Sequence, residues 1–375
     1  GNVSGNATVQ QYLPGDGRQW WYLSSPVTGA TSNVFAPTTS TNKIGIYVED
    51  YLSDGNEATT APYYTNPYAA GSSTPLSVGK GYVVKLSATT GGTYTFEGTL
   101  NNGDYTLSPT RTGVTAGKRG FNLVGNPYPS YLDWDAAYAD ASRVNISNAI
   151  WYRTYSDGQM TFHTYADAEG VPEITTGMIP PAQAFWIRVD ADGSNGSITF
   201  KNTHREHAGA TANPLKAPKA NDRPRVRLQI SNGVNADEAL IVAKSYASNG
   251  IDSYDIEKMS NDNVEIPEIY TLLNNEDMVI NSFSSFVAGQ EIALGMRPGK
   301  AGDFTINATQ FENIPSDIKV ILKDKFTGAE TELSENASYS FNADGNEANQ
   351  RFSLLFRAPG SVTGIDNAGN QTLFV

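Results

Sequence analysis

The sequence predicts an all-β protein of several antiparallel β-sandwich or jelly-roll domains, with an internal duplication in its N-terminal region. Three observations support this fold class. Short runs such as 81–86 (GYVVKL) and 185–189 (FWIRV) are rich in β-branched and aromatic residues, as strands are. Dipeptides such as Asp54-Gly55 lie between the runs and form tight turns, because glycine tolerates a positive φ. Similar segments also recur about one hundred residues apart.

Four blocks of the first 208 residues recur in the same order. The block at 21–26 corresponds to 121–127, 45–47 to 149–151, 80–84 to 183–187, and 93–96 to 197–200. One match arises easily by chance, but four in register predict a duplicated β unit. We expect a first β-repeat unit at 1–110 and a second at 111–208. The two could form separate sandwiches or one larger body that hides exposed strand edges.

A linker and a further β domain are expected after the duplication. Residues 209–224 are mostly small, contain proline and lack aromatic side chains, which indicates a linker. Residues 225–358 again alternate as strands do and predict a C-terminal β-sandwich domain. Residues 359–375 form a tail that contains glycine and asparagine and ends on apolar residues. The alanine-rich segment 133–141 predicts a short helix, with Asp133 as its N-cap.

Length and composition indicate a folded, acidic chain. It has 375 residues, no cysteine, and a formal charge of −13 from 26 basic and 39 acidic side chains. A hydrophobic content of 39% and an aromatic content of 11% argue against disorder. The lack of cysteine excludes disulfides and thiolate chemistry. The negative charge repels phosphate, and no run of about 20 apolar residues occurs, so we expect neither a nucleic-acid partner nor a transmembrane segment.

The patterns that accompany catalysis are missing from the sequence. No Gly-x-Ser-x-Gly elbow, phosphate loop or dinucleotide fingerprint occurs. The three histidines are His163, His204 and His207. On a helix, His204 and His207 would share one face and could bind a metal ion together. In the extended segment expected here they point to opposite sides, so we interpret them as solvated linker residues. We therefore predict a protein that is not an enzyme and holds no organic cofactor.

One segment offers the oxygen-rich spacing of a calcium site. Asp190, Asp192 and Ser194 place side-chain oxygens at alternate positions, and calcium prefers several hard oxygen ligands. The glutamate that closes a calcium loop of this kind is replaced by Lys201. The same residues are also ordinary turn formers. Two interpretations therefore stay open: a calcium site, or a turn that binds no cofactor.

Clustered aromatic residues give the best indication of a binding surface. Exposed rings stack on sugars or contact protein partners. Neighbouring residues of a strand face opposite sides, so one of the two adjacent tryptophans should lie outside the core. The alternative is that the rings fill the interface between the duplicated units. The candidate ligand-binding residues are Trp20, Trp21, Tyr63, Tyr64 and Trp134.

Several motifs resemble those of surface proteins exported by the type IX secretion system. The segment 120–130 (GFNLVGNPYPS), followed by 132–134 (LDW), is similar to a block of those proteins. In them it usually precedes an Ile-Trp/Tyr strand and a Pro-Pro-x-Gln-x-Phe-Trp segment. Here these correspond to 150–152 (IWY) and 180–186 (PPAQAFW).

The C-terminal half extends this resemblance. Residues 255–259 (DIEKM) and 269–272 (IYTL) are similar to the penultimate β domain of the same proteins. Residues 351–356 (RFSLLF) and 362–366 (VTGID) resemble the lead-in to their C-terminal sorting domain. We expect that sorting domain to be missing, whether by truncation or by cleavage, because the sequence given stops at Val375.

The resemblance implies a non-catalytic, adhesin-like exoprotein. It implies a protein that is secreted or held on the outer-membrane surface of a Gram-negative bacterium. The function to expect is cell adhesion or surface assembly, with host or bacterial surface glycans or matrix proteins as partners. The alternative is a carbohydrate-binding module of a glycan-capturing exoprotein. The oligomeric state stays open.

Overall fold

The chain divides into two compact units, Gly1–Lys219 and Ala220–Val375. The division falls within the stretch expected to be a linker. Both units are built from strands, so the predicted all-β fold class is confirmed. The computed structural model describes residues 5–14, 20–35, 44–49, 64–65, 73–85, 92–112, 119–156, 159–172, 176–190, 195–207, 222–260, 264–345 and 350–360.

The first unit consists of short strands with three helical turns among its described residues. The helical turns are α1 (Trp134–Ala139) and the 3-10 helices Ser32–Phe35 and Asn202–His204. The strands are β1 (Asn6–Leu13), β2 (Trp20–Leu23), β3 (Val27–Thr28), β4 (Ile44–Tyr47), β5 (Tyr64–Thr65), β6 (Tyr82–Lys85), β7 (Gly92–Leu100), β8 (Tyr105–Leu107), β9 (Phe121–Gly125), β10 (Tyr131–Asp133), β11 (Ile150–Ser156), β12 (Gln159–Ala166), β13 (Glu169–Val171), β14 (Met178–Ile179), β15 (Ala184–Arg188), β16 (Ile198–Phe200) and β17 (Arg205–Glu206).

The internal duplication is visible in the strand order. One sheet runs β2-β6-β4-β5, and the other runs β9-β15-β11-β12-β13, so matched sequence blocks occupy matched strands. Outside these sheets, β1 pairs with β7 as β8 pairs with β16. A helical turn occupies the same place in each repeat. The N–H of Ser32 donates to Thr74 O at 2.8 Å, as that of Trp134 donates to Gly177 O at 3.1 Å.

Helix α1 begins where the sequence predicts. Asp133 is its N-cap, and the carboxylate accepts the N–H of Ala136 at 3.2 Å. The cap satisfies one of the N–H groups that the first turn leaves without an intrahelical acceptor. Trp134 and Ala137 are the buried residues of this short helix, and both belong to the core of the second repeat.

The two repeats meet around an approximate two-fold axis. Leu23 forms an antiparallel bridge to Gln183, and Val124 forms the equivalent bridge to Lys80. Each contact recurs with the roles of the repeats exchanged, which is the property of an isologous interface. The repeats are thus halves of one body rather than separate sandwiches.

Small residues allow the backbones to approach at this axis. The N–H of Ser24 donates to Ala182 O at 2.9 Å, and the N–H of Gly125 donates to Gly79 O at the same distance. A Cβ on Gly125 would overlap the side chain of Ser24, so this position requires glycine. The two accepting residues share the left-handed backbone region, with φ of 76° at Gly79 and 59° at Ala182.

The second unit is one large sheet wrapped around a single core. The strand order is β26-β25-β28-β23-β21-β22-β19-β18-β24-β27, and β20 pairs with β22. Side chains from strands at both ends of this order, including Leu322 and Phe341, share one apolar cluster. The strands are β18 (Arg225–Ser231), β19 (Ala236–Ala243), β20 (Ile256–Glu257), β21 (Glu268–Leu273), β22 (Glu276–Phe283), β23 (Glu291–Arg297), β24 (Gly302–Glu312), β25 (Lys319–Asp324), β26 (Glu330–Glu332), β27 (Ser338–Ala343) and β28 (Phe352–Arg357).

Candidate functional site

The structure separates the aromatic residues that the sequence grouped as a binding surface. Trp20 is 37% exposed, whereas Trp21 on the opposite face of β2 is 5% exposed. Trp134 is fully buried, and its Nε1 donates to Asn148 O at 3.1 Å. Trp21 and Trp134 were therefore wrong as ligand-stacking residues, because both rings are core side chains. Tyr63 lies outside the described residues, and Tyr64 is described only for its backbone.

The interface between the repeats is lined by aromatic rings. Trp186 contacts Tyr22 edge-on with the ring centres 5.7 Å apart, and it contacts Tyr47 at 4.6 Å. The guanidinium of Arg153 lies 5.0 Å from the centre of the Tyr22 ring. Rings of both repeats thus hold the two sheets together, which favours the structural alternative over a binding role for most aromatics of this unit.

The proposed calcium segment is described only at its start. Asp190 is exposed, and its N–H donates to Asn145 O at 3.1 Å. Asp192 and Ser194 lie outside the described residues, so the calcium hypothesis stays a prediction. Within the described ranges no group of three or more His, Asp or Glu side chains is placed to share a metal ion.

His204 is a structural residue. It ends a 3-10 helix and is 5% exposed, so the expectation of a solvated side chain on an extended segment was wrong. Its Nδ1 accepts the N–H of Lys201 at 3.2 Å, and its Nε2 lies 3.4 Å from Asp140. Ser142 Oγ donates to the same carboxylate at 2.6 Å. The Ser142 hydroxyl thus faces Asp140 rather than His204. Because a histidine can activate only a serine that it contacts, Ser142, His204 and Asp140 do not form a nucleophilic site.

Asp140 is the centre of that cluster. The hydrogen bond from Lys201, at 2.8 Å, is the largest cause of a lowered pKa of the Asp140 carboxyl, and bonds from Ser142 act in the same direction. The carboxylate is therefore ionised and committed to neighbouring donors. This arrangement fixes the end of α1 against the 3-10 helix Asn202–His204 and its N-cap Lys201 rather than providing an acid or base.

The turn between β25 and β26 presents the most exposed aromatic ring of the described residues. Phe326 is 80% exposed at the tip of this turn, which we call the Phe326 turn (residues 324–329). The N–H of Asp324 donates to Ala329 O at 2.9 Å, and that of Gly328 donates to Asp324 O at 2.8 Å. Gly328 has φ of 78°, a conformation that glycine adopts without strain. Backbone hydrogen bonds therefore hold the turn together around Phe326.

A buried ion pair anchors the Phe326 turn. Arg351 binds the Asp324 carboxylate with both Nε, at 3.0 Å, and Nη2, at 2.8 Å. The same carboxylate accepts the hydroxyl of Tyr339 at 2.9 Å and the N–H of Phe326 at 2.9 Å. The side chain of Asp324 is fully buried, and that of Arg351 is 5% exposed. Because these bonds tie the acid to Arg351, Tyr339 and the backbone of the turn, the ring is presented on a fixed backbone.

The hydrogen bonds also set the ionisation of this acid. Burial alone would raise the pKa of Asp324, but the bonds from Arg351 and Tyr339 outweigh it and lower the pKa to about 2. The carboxylate is thus charged in any ordinary buffer. The sequence identifies 324–328 as a turn, but it does not show the exposed ring, because a phenylalanine next to an apolar strand more often enters the core.

A second exposed ring lies after β19. Tyr246 is 52% exposed and contacts Tyr254 edge-on, with the ring centres 4.8 Å apart. Arg223 Nη2 donates to the Tyr246 hydroxyl at 2.7 Å, so the ring is oriented from two sides. No sequence pattern singled out this pair of tyrosines.

These features define an all-β protein. The chain belongs to the family described as "Domain of unknown function (DUF8693)", whose family model matches residues 2–356. No curated protein and no solved structure matched the chain. Among the described residues, no helix is both long and apolar enough to span a membrane.

Proposed function

We propose that this chain is a non-catalytic protein of the cell surface or the extracellular medium that contributes to adhesion or surface assembly. The observation that carries the proposal is the Phe326 turn, where an 80% exposed ring stands on a backbone held by a buried ion pair. The resemblance to surface proteins exported by the type IX secretion system supports a location outside the cell, either secreted or on the outer-membrane surface of a Gram-negative bacterium.

The physical basis is preorganisation. Ordering a loop on binding costs free energy, and a turn that is already fixed avoids that cost. Aromatic anchors that enter a pocket on the partner contribute most of the binding energy in many interfaces. The Phe326 turn therefore fits a protein partner with an apolar pocket, such as a matrix protein or another surface protein.

Phe326→Ala is expected to weaken binding to a matrix protein about tenfold or more, equivalent to about 1.4 kcal/mol. Binding is measured by interferometry against matrix proteins that the wild-type chain selects from an array. Val234→Ala is the matched control, because Val234 is 82% exposed in another turn of the same unit. Equal affinity of Phe326→Ala and wild type would contradict the proposal. So would substrate turnover that a single substitution abolishes.

Carbohydrate binding is the second candidate, and the exposure of Trp20 favours it. The other four tryptophans are at most 5% exposed, so Trp20 is the indole that a sugar could reach. We expect a bound polysaccharide to quench tryptophan fluorescence saturably and Trp20→Ala to abolish the quenching. Tyr12→Ala is the control, because Tyr12 is 57% exposed in the same unit. Quenching that survives Trp20→Ala would count against this candidate, and quenching that requires calcium would direct attention to Asp190.

A further inference from the structure

Lys258 and Asp237 form a close pair of opposite charge in the second unit. The Nζ of Lys258 lies 2.7 Å from Oδ2 of Asp237, and the two side chains are 6% and 23% exposed. Asp237 is the second residue of β19, and Lys258 directly follows β20. The N–H of Lys258 donates to Asp277 O at 2.8 Å, which fixes the start of the lysine side chain. The amine is therefore held against the carboxyl rather than sampling solvent.

The carboxyl is also fixed and polarised. The N–H of Ile269 donates to Oδ2 of Asp237 at 2.8 Å. Burial, which outweighs the attraction of Lys258, raises the pKa of Asp237, and the nearby charge of Glu268 acts in the same direction. The protonated, uncharged form of the Asp237 carboxyl is thus more accessible here than in water, because a buried charge costs desolvation energy.

Further charges surround the pair. Glu268 is 5% exposed, and its carboxylate accepts Arg297 Nη1 at 2.7 Å. Arg297 also contacts Asp277 through its other terminal nitrogen. The cluster thus places a second carboxylate, that of Glu268, close enough to act on Asp237.

We propose that Lys258 and Asp237 join in an intramolecular isopeptide bond. A proton passes from the lysine ammonium to the aspartate, which gives an amine and a carboxylic acid. The amine nitrogen attacks Cγ of Asp237, and the N–H of Ile269 stabilises the negative charge that develops on Oδ2. Glu268 takes a second proton from the nitrogen and returns it to the departing hydroxyl. One N–C bond forms, one C–O bond breaks, and one water molecule leaves without an oxidant or a reductant.

The product would be a covalent loop between β19 and β20. Cross-links of this kind restrict the unfolded chain and thereby stabilise the folded one. The inference does not depend on the Phe326 turn or on any partner, so its failure would leave the proposed function untouched.

Mass spectrometry of the denatured full chain tests the bond. We expect the wild-type mass to lie one water molecule below the mass of its sequence, and the Lys258→Arg chain to have the full mass of its own sequence. Arginine preserves the positive charge next to Asp237 but is not acylated, so it is a matched control. A wild-type chain with the full mass overturns the proposal.

Peptide mapping then assigns the missing water. Trypsin does not cleave after an acylated lysine, so we expect a branched peptide that joins 228–244, which contains Asp237, to the uncleaved segment around Lys258. Cyclisation at an Asp-Gly sequence such as Asp344-Gly345 also removes water. A loss of water that persists in Lys258→Arg, or that maps to such a sequence, overturns the proposal.

Discussion

Asp324→Asn is expected to destabilise the second unit by about 3–5 kcal/mol, the cost of leaving a buried charge without its partner. Arg351 is 5% exposed and binds Asp324 through two nitrogens, so the substitution leaves a guanidinium with no counter-charge at this contact. It also loses the charged acceptor that fixes the N–H of Phe326. Urea unfolding followed by far-ultraviolet circular dichroism measures the change.

Two further variants show whether the burial of the pair is responsible. Glu332→Gln removes one partner of the exposed Lys319–Glu332 pair and is expected to cost less than about 1 kcal/mol. Adding Arg351→Met to Asp324→Asn removes the stranded charge and should recover part of the loss. A loss in Asp324→Asn no larger than that in Glu332→Gln would show that the pair does not anchor the turn.

The same pair predicts a dependence of stability on pH. The pKa of Asp324 falls from its ordinary 3.8 to about 2 on folding, so the folded state binds this proton more weakly than the unfolded state. The ionised Asp324 contributes about 2 kcal/mol to the free energy of unfolding. This contribution is complete above the ordinary pKa and is lost as the pH falls through the pKa of the folded state. Wild type should therefore lose more stability than Asp324→Asn between about pH 4 and about pH 2. Equal losses would exclude this group as the source.

Gly125→Ala is expected to destabilise the first unit by about 3 kcal/mol, because the added Cβ overlaps Ser24 at the axis between the repeats. All five tryptophans lie in the first unit, so tryptophan fluorescence during urea unfolding follows this unit. Gly302→Ala lies in the second unit and its added Cβ meets no atom within 4 Å, so it checks the readout and should leave the tryptophan transition unchanged. Unchanged fluorescence unfolding in Gly125→Ala would contradict the close approach.

The approximate symmetry makes a rescue possible. Ser24 and Gly125 occupy equivalent positions of the two repeats, so the double variant Ser24→Gly with Gly125→Ser moves one side chain to the other side of the axis. We expect it to be more stable than Gly125→Ala, since only one Cβ again lies between the backbones. A double variant that is no more stable would show that the two positions are not equivalent.

The sequence predicted those features that depend on local chemistry or on repetition. Alternation along β2 required one of Trp20 and Trp21 to leave the core, and it left open which one. Capping preference identified Asp133 correctly, and the same helix explains why Trp134 is buried. The repeat predicted matched strands but left open whether the repeats form one body, because the contact between Ser24 and Gly125 depends on the path of the backbone in space.

The candidate sites could not be predicted from the sequence, for a similar reason. Asp324 and Arg351 are separated along the chain and meet only because β25 pairs with β28. Lys258 reaches Asp237 because β19 and β20 both pair with β22. Phe326 has an apolar side chain in a turn, and the ion pair that binds this turn is not visible in the sequence. Composition and periodicity predict the strands, whereas these contacts between distant side chains depend on the order of the strands in the sheet.

The two-fold contact between the repeats also affects how the first unit responds to dilution. Two identical halves held by such a contact as separate chains would dissociate at low concentration. Here one polypeptide carries both halves, so their association is intramolecular and has a high effective concentration. The two halves are also free to differ in sequence, as Gly79 and Ala182 do. A surface built on one repeat therefore occurs once per molecule and persists however dilute the protein becomes.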